Sequence, residues 1–274
     1  MNFDRIEYLI GDDPDAPDTL VVESGGQARF SLHSNEFAPD EPEIGVFQSV
    51  LPPERVASLK GLLESPPFAG LPDHWKKIRP GERNRRIRLT HAGDVIEKFL
   101  AFRDPIDSSM QRVLDTLDAL AHDLKSHPWQ ALRLEIARVD VSKEQELTVL
   151  LNFSNIGKQP ISLRAPVRMP DDELCQLRFE LWPDKAKSEL QADDLIAQRP
   201  QLVENLDGIE FTSTNVLDLA PEETASFGVR LSIGRGREGR HKVRAVYVQG
   251  YGQVEGREVM SGELFSRPFD FSFE

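Results

Sequence analysis

The sequence is poor in cysteine and lacks the long apolar runs of membrane proteins. Its single cysteine, Cys175, cannot form an internal disulfide and stands in CQLRFELW, a context typical of a small buried hydrophobe. No run of about 18 apolar residues exists, so we predict no membrane-spanning helix and no membrane partner. The N-terminal residues lack a basic region followed by an apolar stretch, so we expect no secretory signal and a cytoplasmic location.

Motifs that would identify an enzyme or a cofactor site are also missing. The sequence contains neither G-x-S-x-G nor S-x-x-K, and its six histidines form no H-E-x-x-H pair for zinc. The acidic segment GDDPDAPD lacks the glycine and the glutamate that an EF-hand requires at its sixth and twelfth positions. We therefore predict a non-enzymatic protein without metal or cofactor. The alternative of an enzyme stays open, because a site assembled from distant residues leaves no local motif.

Positive charge is scarce and unevenly distributed. The chain has 46 acidic and 33 basic residues, a net charge of −13, which argues against nucleic-acid binding and favours a basic protein partner. The acidic side chains are concentrated in residues 1–43, whereas residues 75–88, WKKIRPGERNRRIR, are basic. This basic stretch could hold a phosphate or a nucleic acid strand. We favour a structural interpretation, in which Arg86 and Arg88 lie on the exposed face of an edge strand.

The first half predicts an α+β module, an antiparallel sheet with two helices, over residues 1–128. Hairpins are expected around Gly25-Gly26 and around Ala92-Gly93-Asp94. One helix should begin at Pro52-Pro53 and end at Pro66-Pro67; the other should follow Asp104-Pro105. Apolar residues at helical spacing support both helices: Val56, Leu59, Leu62 and Leu63 in the first, and Val113, Leu117, Leu120 and Leu124 in the second.

The second half, residues 129–274, predicts an all-β sandwich. Short β-rich runs separated by turn residues replace the helical stripes of the first half. Phe227, Val229, Leu231 and Ile233 alternate with polar neighbours, as the residues of a half-buried strand do.

A glycine-rich loop in this half matches the spacing G-x-G-x-x-G, at Gly234, Gly236 and Gly239. A dinucleotide-binding loop must lead from a strand into a helix. Here the loop leads into HKVRAVYVQG, which alternates like a strand. We therefore predict the loop of a β-hairpin and no dinucleotide.

The second half resembles the immunoglobulin-like sandwiches of bacterial proteins, including intracellular proteinase inhibitors of the BsuPI type. Three features carry the likeness: the strand 147–151 with its turn 152–157, the following segment 160–163, and a closing strand at 239–245. His241 stands where such domains usually have a tyrosine, which leaves the tyrosine-corner hydrogen bond in doubt. The resemblance implies an immunoglobulin-like fold and carries over no functional residue.

A small α+β module ahead of such a sandwich, in an acidic chain without a catalytic motif, also resembles bacterial immunity proteins. These bind contact-delivered or type VI secreted toxins, so the resemblance implies a protein that neutralises a basic toxin domain, such as a nuclease, by covering its active site. An intracellular proteinase inhibitor is the alternative. The pattern leaves the oligomeric state open. The partner-binding residues predicted from the acidic segments are Asp12, Asp13, Asp15, Asp18, Asp40, Glu41 and Glu43.

Overall fold

A computed structural model shows a mostly β protein with large antiparallel sheets. The chain divides into two compact units. Unit 1 comprises residues 1–32 and 46–129, and unit 2 comprises residues 33–45 and 130–274. The structure describes residues 3–11, 17–36, 38, 40–72, 84–101, 106–142, 146–166, 175–185, 194–206, 215–233, 238–250 and 252–273.

The described residues of unit 1 form an antiparallel sheet and three helices. The elements are β1 (Arg5–Gly11), β2 (Asp18–Glu23), β3 (Gln27–Leu32), β4 (Glu43–Val50), α1 (Pro53–Leu63), α2 (Pro66–Ala69), β5 (Asn84–His91), β6 (Asp94–Ala101), α3 (Ser108–Leu124) and β7 (Pro128–Val141). The strands of the unit follow the order β4-β3-β2-β1-β5-β6. The boundary with unit 2 falls inside β4 and inside β7.

The helices of unit 1 follow the predicted apolar stripes, except that Leu62 of the first stripe is only half-buried. In α3 the four predicted residues are all buried, and the Asp107 carboxylate caps the first turn by accepting hydrogen bonds from the amides of Ser109 and Met110, both at 2.8 Å. The first helix is confirmed as α1. It ends at Leu63, before Pro66-Pro67, as predicted. These prolines also begin an additional helix, α2, which is not predicted from the sequence; Ser65 caps it by accepting a hydrogen bond from the Phe68 amide.

Both predicted hairpins of unit 1 are confirmed. β2 pairs with β3 across Gly25-Gly26, and β5 pairs with β6 across Ala92-Gly93. Ala92 and Gly93 have φ values of 51° and 90°, which a tight two-residue hairpin turn requires. The inward faces of the strands, led by Ile6, Tyr8 and Phe30, are buried.

The described strands of unit 2 are β8 (Glu146–Asn155), β9 (Ile161–Arg164), β10 (Cys175–Pro183), β11 (Ile196–Gln198), β12 (Leu202–Asn205), β13 (Val216–Leu219), β14 (Thr224–Ser232), β15 (Gly239–Gln249), β16 (Gln253–Val254), β17 (Arg257–Glu258), β18 (Gly262–Phe265) and β19 (Phe269–Phe273). They form two antiparallel sheets, named here by their central strands. The β8 sheet has the order β12-β14-β8-β7, and the β15 sheet has the order β11-β10-β15-β18, with β19 also pairing to β15. Among the described residues there are also two short ribbons, β9-β13 and β16-β17.

Aromatic side chains join the two sheets of unit 2. The ring of Phe153 on β8 contacts Phe227 on the neighbouring β14, with centroids 5.7 Å apart, and Tyr247 on β15, at 5.3 Å. Phe227, Val229 and Leu231 are fully buried, so the predicted alternation of this strand is confirmed. The side chain of Cys175, predicted to be buried, lies outside the described part of the chain.

The glycine-rich loop is not a hairpin loop. β14 lies in the β8 sheet, and the strand that follows the loop, β15, lies in the other sheet. Both flanking strands are therefore predicted correctly, but the loop carries the chain from one sheet to the next. Residues 234–237 lie outside the described residues, and Gly239 has a φ of 85° at the start of β15.

The predicted domain boundary at residues 128–129 lies next to the division at residue 129, but the segment 33–45 belongs with unit 2. Among the residues that the structure describes, no helix is long and apolar enough to cross a membrane.

Candidate protein-binding surface

The predicted acidic residues are divided between the two units. Asp12, Asp13 and Asp15 lie outside the described residues, and Asp18 begins β2 in unit 1. The other three predicted residues lie on the segment 33–45 of unit 2: Asp40, Glu41 and Glu43.

Hydrogen bonds hold this segment against β18. The buried Asn35 side chain donates to the carbonyls of Glu41 (3.0 Å) and Phe265 (2.8 Å) and accepts from the Phe265 amide (2.7 Å). Gly262 has a φ of 145°, and a Cβ there would lie 2.5 Å from the His33 carbonyl oxygen, so only glycine allows this approach. The segment is therefore an integral part of unit 2.

The three carboxylates on this segment differ in how much they present to a partner. Glu43 is buried and accepts a hydrogen bond from the Arg133 guanidinium at 2.9 Å. Glu41 is half-buried, whereas Asp40 is exposed, and its main-chain carbonyl accepts from Arg267 at 2.7 Å. Asp40 is thus the most accessible of the three to a basic partner.

The described arginines of the basic stretch are neutralised inside unit 1. The prediction that this strand lies at a sheet edge is wrong, because β5 lies between β1 and β6. Arg86 and Arg88 both donate to Glu97 on β6, at 2.8 and 2.7 Å, and Arg88 also donates to Glu7 on β1, at 3.2 Å. Residues 75–83 hold the rest of the basic stretch; only residues from 84 onward in it are described.

This ion-pair ladder shifts the pKa values of its members. Burial alone would raise the pKa of Glu97, but hydrogen bonds from Arg88 and Arg86 lower it below its ordinary value. The hydrogen bond to Glu97 raises the pKa of Arg88. These ion pairs therefore connect β5 to both of its neighbours, β1 and β6.

Arg85, the remaining described arginine of the stretch, points to the side of the sheet on which α3 lies. Its guanidinium donates to Asp118 of α3 at 2.8 Å, and the Tyr8 hydroxyl donates to the same carboxylate at 2.7 Å. Burial raises the pKa of Tyr8 well above its usual range, and the charge of Asp118 raises it further. This cluster ties α3 to β1 and β5.

A further charged cluster lies on the β15 sheet. Arg244 donates to Glu180 at 2.6 Å and lies over the Phe265 ring, 4.7 Å from its centroid. Arg178 donates to Glu263 at 3.2 Å. Burial raises the pKa of Glu263, and the Arg178 charge opposes that shift.

No group of three histidine, cysteine, aspartate or glutamate side chains within the described ranges could hold a metal ion. His241, for example, is buried between aromatic rings, 5.9 Å from Phe271 and 5.0 Å from Phe273, and its Nδ1 lies 3.1 Å from the Gly239 carbonyl. The histidine is therefore a packing residue.

Three exposed leucines lie on the segment 194–206 of unit 2, which we name the leucine edge. Leu195, Leu202 and Leu206 are 51%, 41% and 54% exposed. The segment runs from β11, at the end of the β15 sheet, to β12, at the end of the β8 sheet. Exposed apolar side chains that form a contiguous patch mark a binding surface. Leu202 and Leu206 lie on the same face of the strand that pairs with β14.

One apolar contact extends from β12 to its neighbouring strands. Leu206 lies over Gly228 of β14, its Cδ2 3.4 Å from where a glycine Cβ would be. Gly228 is in turn paired with the half-buried Leu150 of β8. Leu206, Gly228 and Leu150 thus form one short apolar row, and the residues that flank Gly228 on this face of β14, Ser226 and Arg230, are polar.

The leucine edge is not among the sites predicted from the sequence. Leu202, Glu204 and Leu206 alternate with Val203 and Asn205 in a way that could have indicated an edge strand with apolar residues on its outward face. The short run gave no means of telling which face is buried. That information comes from the pairing of Val203 with Val229, which assigns Val203 to the core side and the two leucines to the outer side.

Comparisons with known proteins give no functional assignment. No protein-family profile and no curated protein matches the chain. Among solved structures, part of the chain is similar to a protein described as AvmM, which catalyses macrocyclization in alchivemycin A biosynthesis; identity is 15%, coverage is 52% of this chain and 87% of that chain, and the TM-score is 0.30. A likeness this weak carries no argument about function.

Proposed function

We propose that the chain is a non-enzymatic protein of the immunity type, which binds a bacterial toxin in the cytoplasm and covers its active site. The observation that carries the proposal is the leucine edge, with its three exposed leucines in one short segment. Burying the exposed part of each leucine would contribute roughly 1 kcal/mol to binding.

The charge of the chain supports the same proposal. A net charge of −13 attracts a basic partner and raises the association rate, and Asp40 presents one accessible carboxylate for this purpose. Apolar contacts at the leucine edge would then set the lifetime of the complex. A toxin that cleaves nucleic acid has a basic cleft, which fits this combination.

The proposal extends to the fold. We infer that unit 1 is an α+β module and that unit 2 is an immunoglobulin-like sandwich. The Phe153–Tyr247 contact between the β8 and β15 sheets supports a sandwich. The Asn155-Ile156-Gly157 turn also supports it, since Asn155 donates to the carbonyls of Gln159 and Leu219 and accepts from Gly157.

Growth protection tests the proposed function. The full chain is co-expressed with the product of the neighbouring gene, and a complex is then sought with that product carrying a disabled active site. We expect restored growth and a one-to-one complex that survives high salt. Failure to restore growth, together with no complex, would overturn the proposal.

A variant pair tests whether the leucine edge is the surface involved. Leu202→Asp combined with Leu206→Asp should abolish protection. Val95→Asp is the matched control, because Val95 of unit 1 is as exposed as Leu206, at 54%, but lies on another strand edge. Protection by both variants would contradict the assignment of this surface.

A further inference from the structure

The backbone of β12 offers hydrogen-bonding groups on its outer side. The Leu206 amide donates to the Ser226 carbonyl of β14 at 3.1 Å, in register with the Leu202–Arg230 and Glu204–Gly228 pairs. Hydrogen bonding alternates along an antiparallel strand, so the main-chain groups of Val203 and Asn205 point away from β14. Among the described strands, β12 ends the order of its sheet.

Glu204 lies between these two open residues. In an antiparallel strand added to this edge, Val203 and Asn205 would make the hydrogen bonds, and Glu204 would fall in the non-hydrogen-bonded pair, where side chains approach most closely. Glu204 is exposed, and its own cross-strand residue on β14 is Gly228, which has no side chain. Within the described part of the chain, the Glu204 carboxylate makes no ion pair, so its charge is available to an added strand.

We propose that β12 is a strand-addition site for an extended, basic segment of the partner protein, with Glu204 as the specificity-determining residue. This inference deepens the proposed function and rests on it. The added segment runs antiparallel to β12 and places a lysine or arginine opposite Glu204. Apolar side chains two positions to either side meet Leu202 and Leu206.

The same geometry disfavours a second copy of this chain as the occupant. A twofold pairing of two β12 strands that uses both open residues would place Glu204 of one copy opposite Glu204 of the other. Like charges directly opposite each other destabilise a strand pair. An exposed charge at the centre of an edge strand is also a common defence against self-association.

A synthetic strand tests the inference directly. The probe is the acetylated, amidated peptide Thr-Leu-Thr-Lys-Thr-Leu-Thr, and its partner probe has glutamate in place of lysine. Both are titrated into the ¹⁵N-labelled full chain while amide shifts and hydrogen exchange are followed. We expect the lysine peptide to bind about fivefold tighter than the glutamate peptide and to slow exchange at the Val203 and Asn205 amides.

The charge-reversed variant Glu204→Lys is the matched test of specificity. Because Glu204 is exposed, the variant should fold normally, and the preference between the two peptides should reverse. Three results would overturn the inference: no binding of the lysine peptide, equal binding of both peptides, or protection of amides elsewhere than β12. Dimerisation of the chain without peptide, lost in Val203→Pro, would also overturn it, by making a second copy the occupant.

Failure of the inference and failure of the proposed function give different results. If the chain protects cells from the toxin and Glu204→Lys protects equally well, the function stands and strand addition through Glu204 falls. If the lysine peptide binds β12 but no toxin is neutralised, the edge is a strand-addition site in a protein with another function.

Discussion

The arginines of β5 and the residues of β12 show two opposite uses of side chains on a sheet. Arg86 and Arg88 are satisfied inside unit 1, by Glu97 and Glu7. On β12 the exposed side chains have no comparable partners among the described residues. Conspicuous charge therefore does not by itself mark a binding surface in this protein. Exposed side chains without such partners, as on β12, are the better candidates for a binding surface.

The edge strand β6 of unit 1 and the edge strand β12 of unit 2 differ in the same way. Next to β6, the Phe99 amide donates to the Pro72 carbonyl at 2.9 Å, and the buried Lys98 ammonium donates to the carbonyls of Ala69 and Leu71. The residues after α2 thus cover part of the β6 edge. β12 has no such cover within the described ranges, which makes it the better candidate for an added strand.

The largest expected effect concerns the leucines. In Leu202→Asp/Leu206→Asp, affinity for the toxin measured by calorimetry should fall at least about 100-fold, because two apolar contacts are replaced by desolvated charges. The melting temperature should stay close to that of the wild type, since both side chains are exposed. Val95→Asp should leave affinity unchanged; an equal loss in that variant would remove the distinction between the two edges.

Two proline substitutions sharpen the assignment of open and paired amides on β12. Glu204→Pro removes an amide directed at β14 and should lower the free energy of unfolding by about 2 kcal/mol. Val203→Pro removes an amide directed outward and should cost less than about 1 kcal/mol. Urea unfolding of both variants, with Glu204→Ala and Val203→Ala as controls, measures the difference. The reverse order would show that the register is wrong.

The ion-pair ladder predicts a pH dependence in unit 1. Because the pKa of Glu97 is lowered on folding, its ion pairs add stability above the ordinary carboxyl pKa, and this contribution disappears as pH falls through the lowered value. Glu97→Gln should therefore cost about 1 kcal/mol near pH 7 and progressively less toward about pH 3. Urea unfolding across this range tests it. A cost that does not change with pH would mean that Glu97 contributes no charge interaction.

The smallest effect is expected at the accessible carboxylate of the segment 33–45. Asp40→Lys should slow toxin association about twofold at low salt and have no effect at high salt, because exposed charges act mainly through screened, long-range attraction. Stopped-flow kinetics at two ionic strengths would measure this. Faster dissociation at both salt concentrations would instead place Asp40 in the buried part of the interface.

Local sequence signals predicted the elements that local physics determines. The apolar stripes of α1 and α3 and the turn residues between β2 and β3 and between β5 and β6 depend on neighbouring residues only, and these predictions are confirmed. The short helix α2 was not predicted, because proline suits the first turn of a helix as well as the position after one.

Predictions about strand neighbours were less successful, for a physical reason. Alternation identifies a strand but not its partners, which are fixed by pairing between distant residues. β5 therefore proved to be interior, and the strands around the glycine-rich loop proved to lie in different sheets. The leucine edge was missed for the same reason, since only the pairing of β12 with β14 shows which side chains are exposed.

The most direct test is amide hydrogen exchange of the full chain, alone and in complex with the toxin carrying a disabled active site. The account predicts that the Val203 and Asn205 amides, open in the absence of partner, become strongly protected in the complex. Protection confined to the acidic segments, with unchanged exchange at β12, would contradict it.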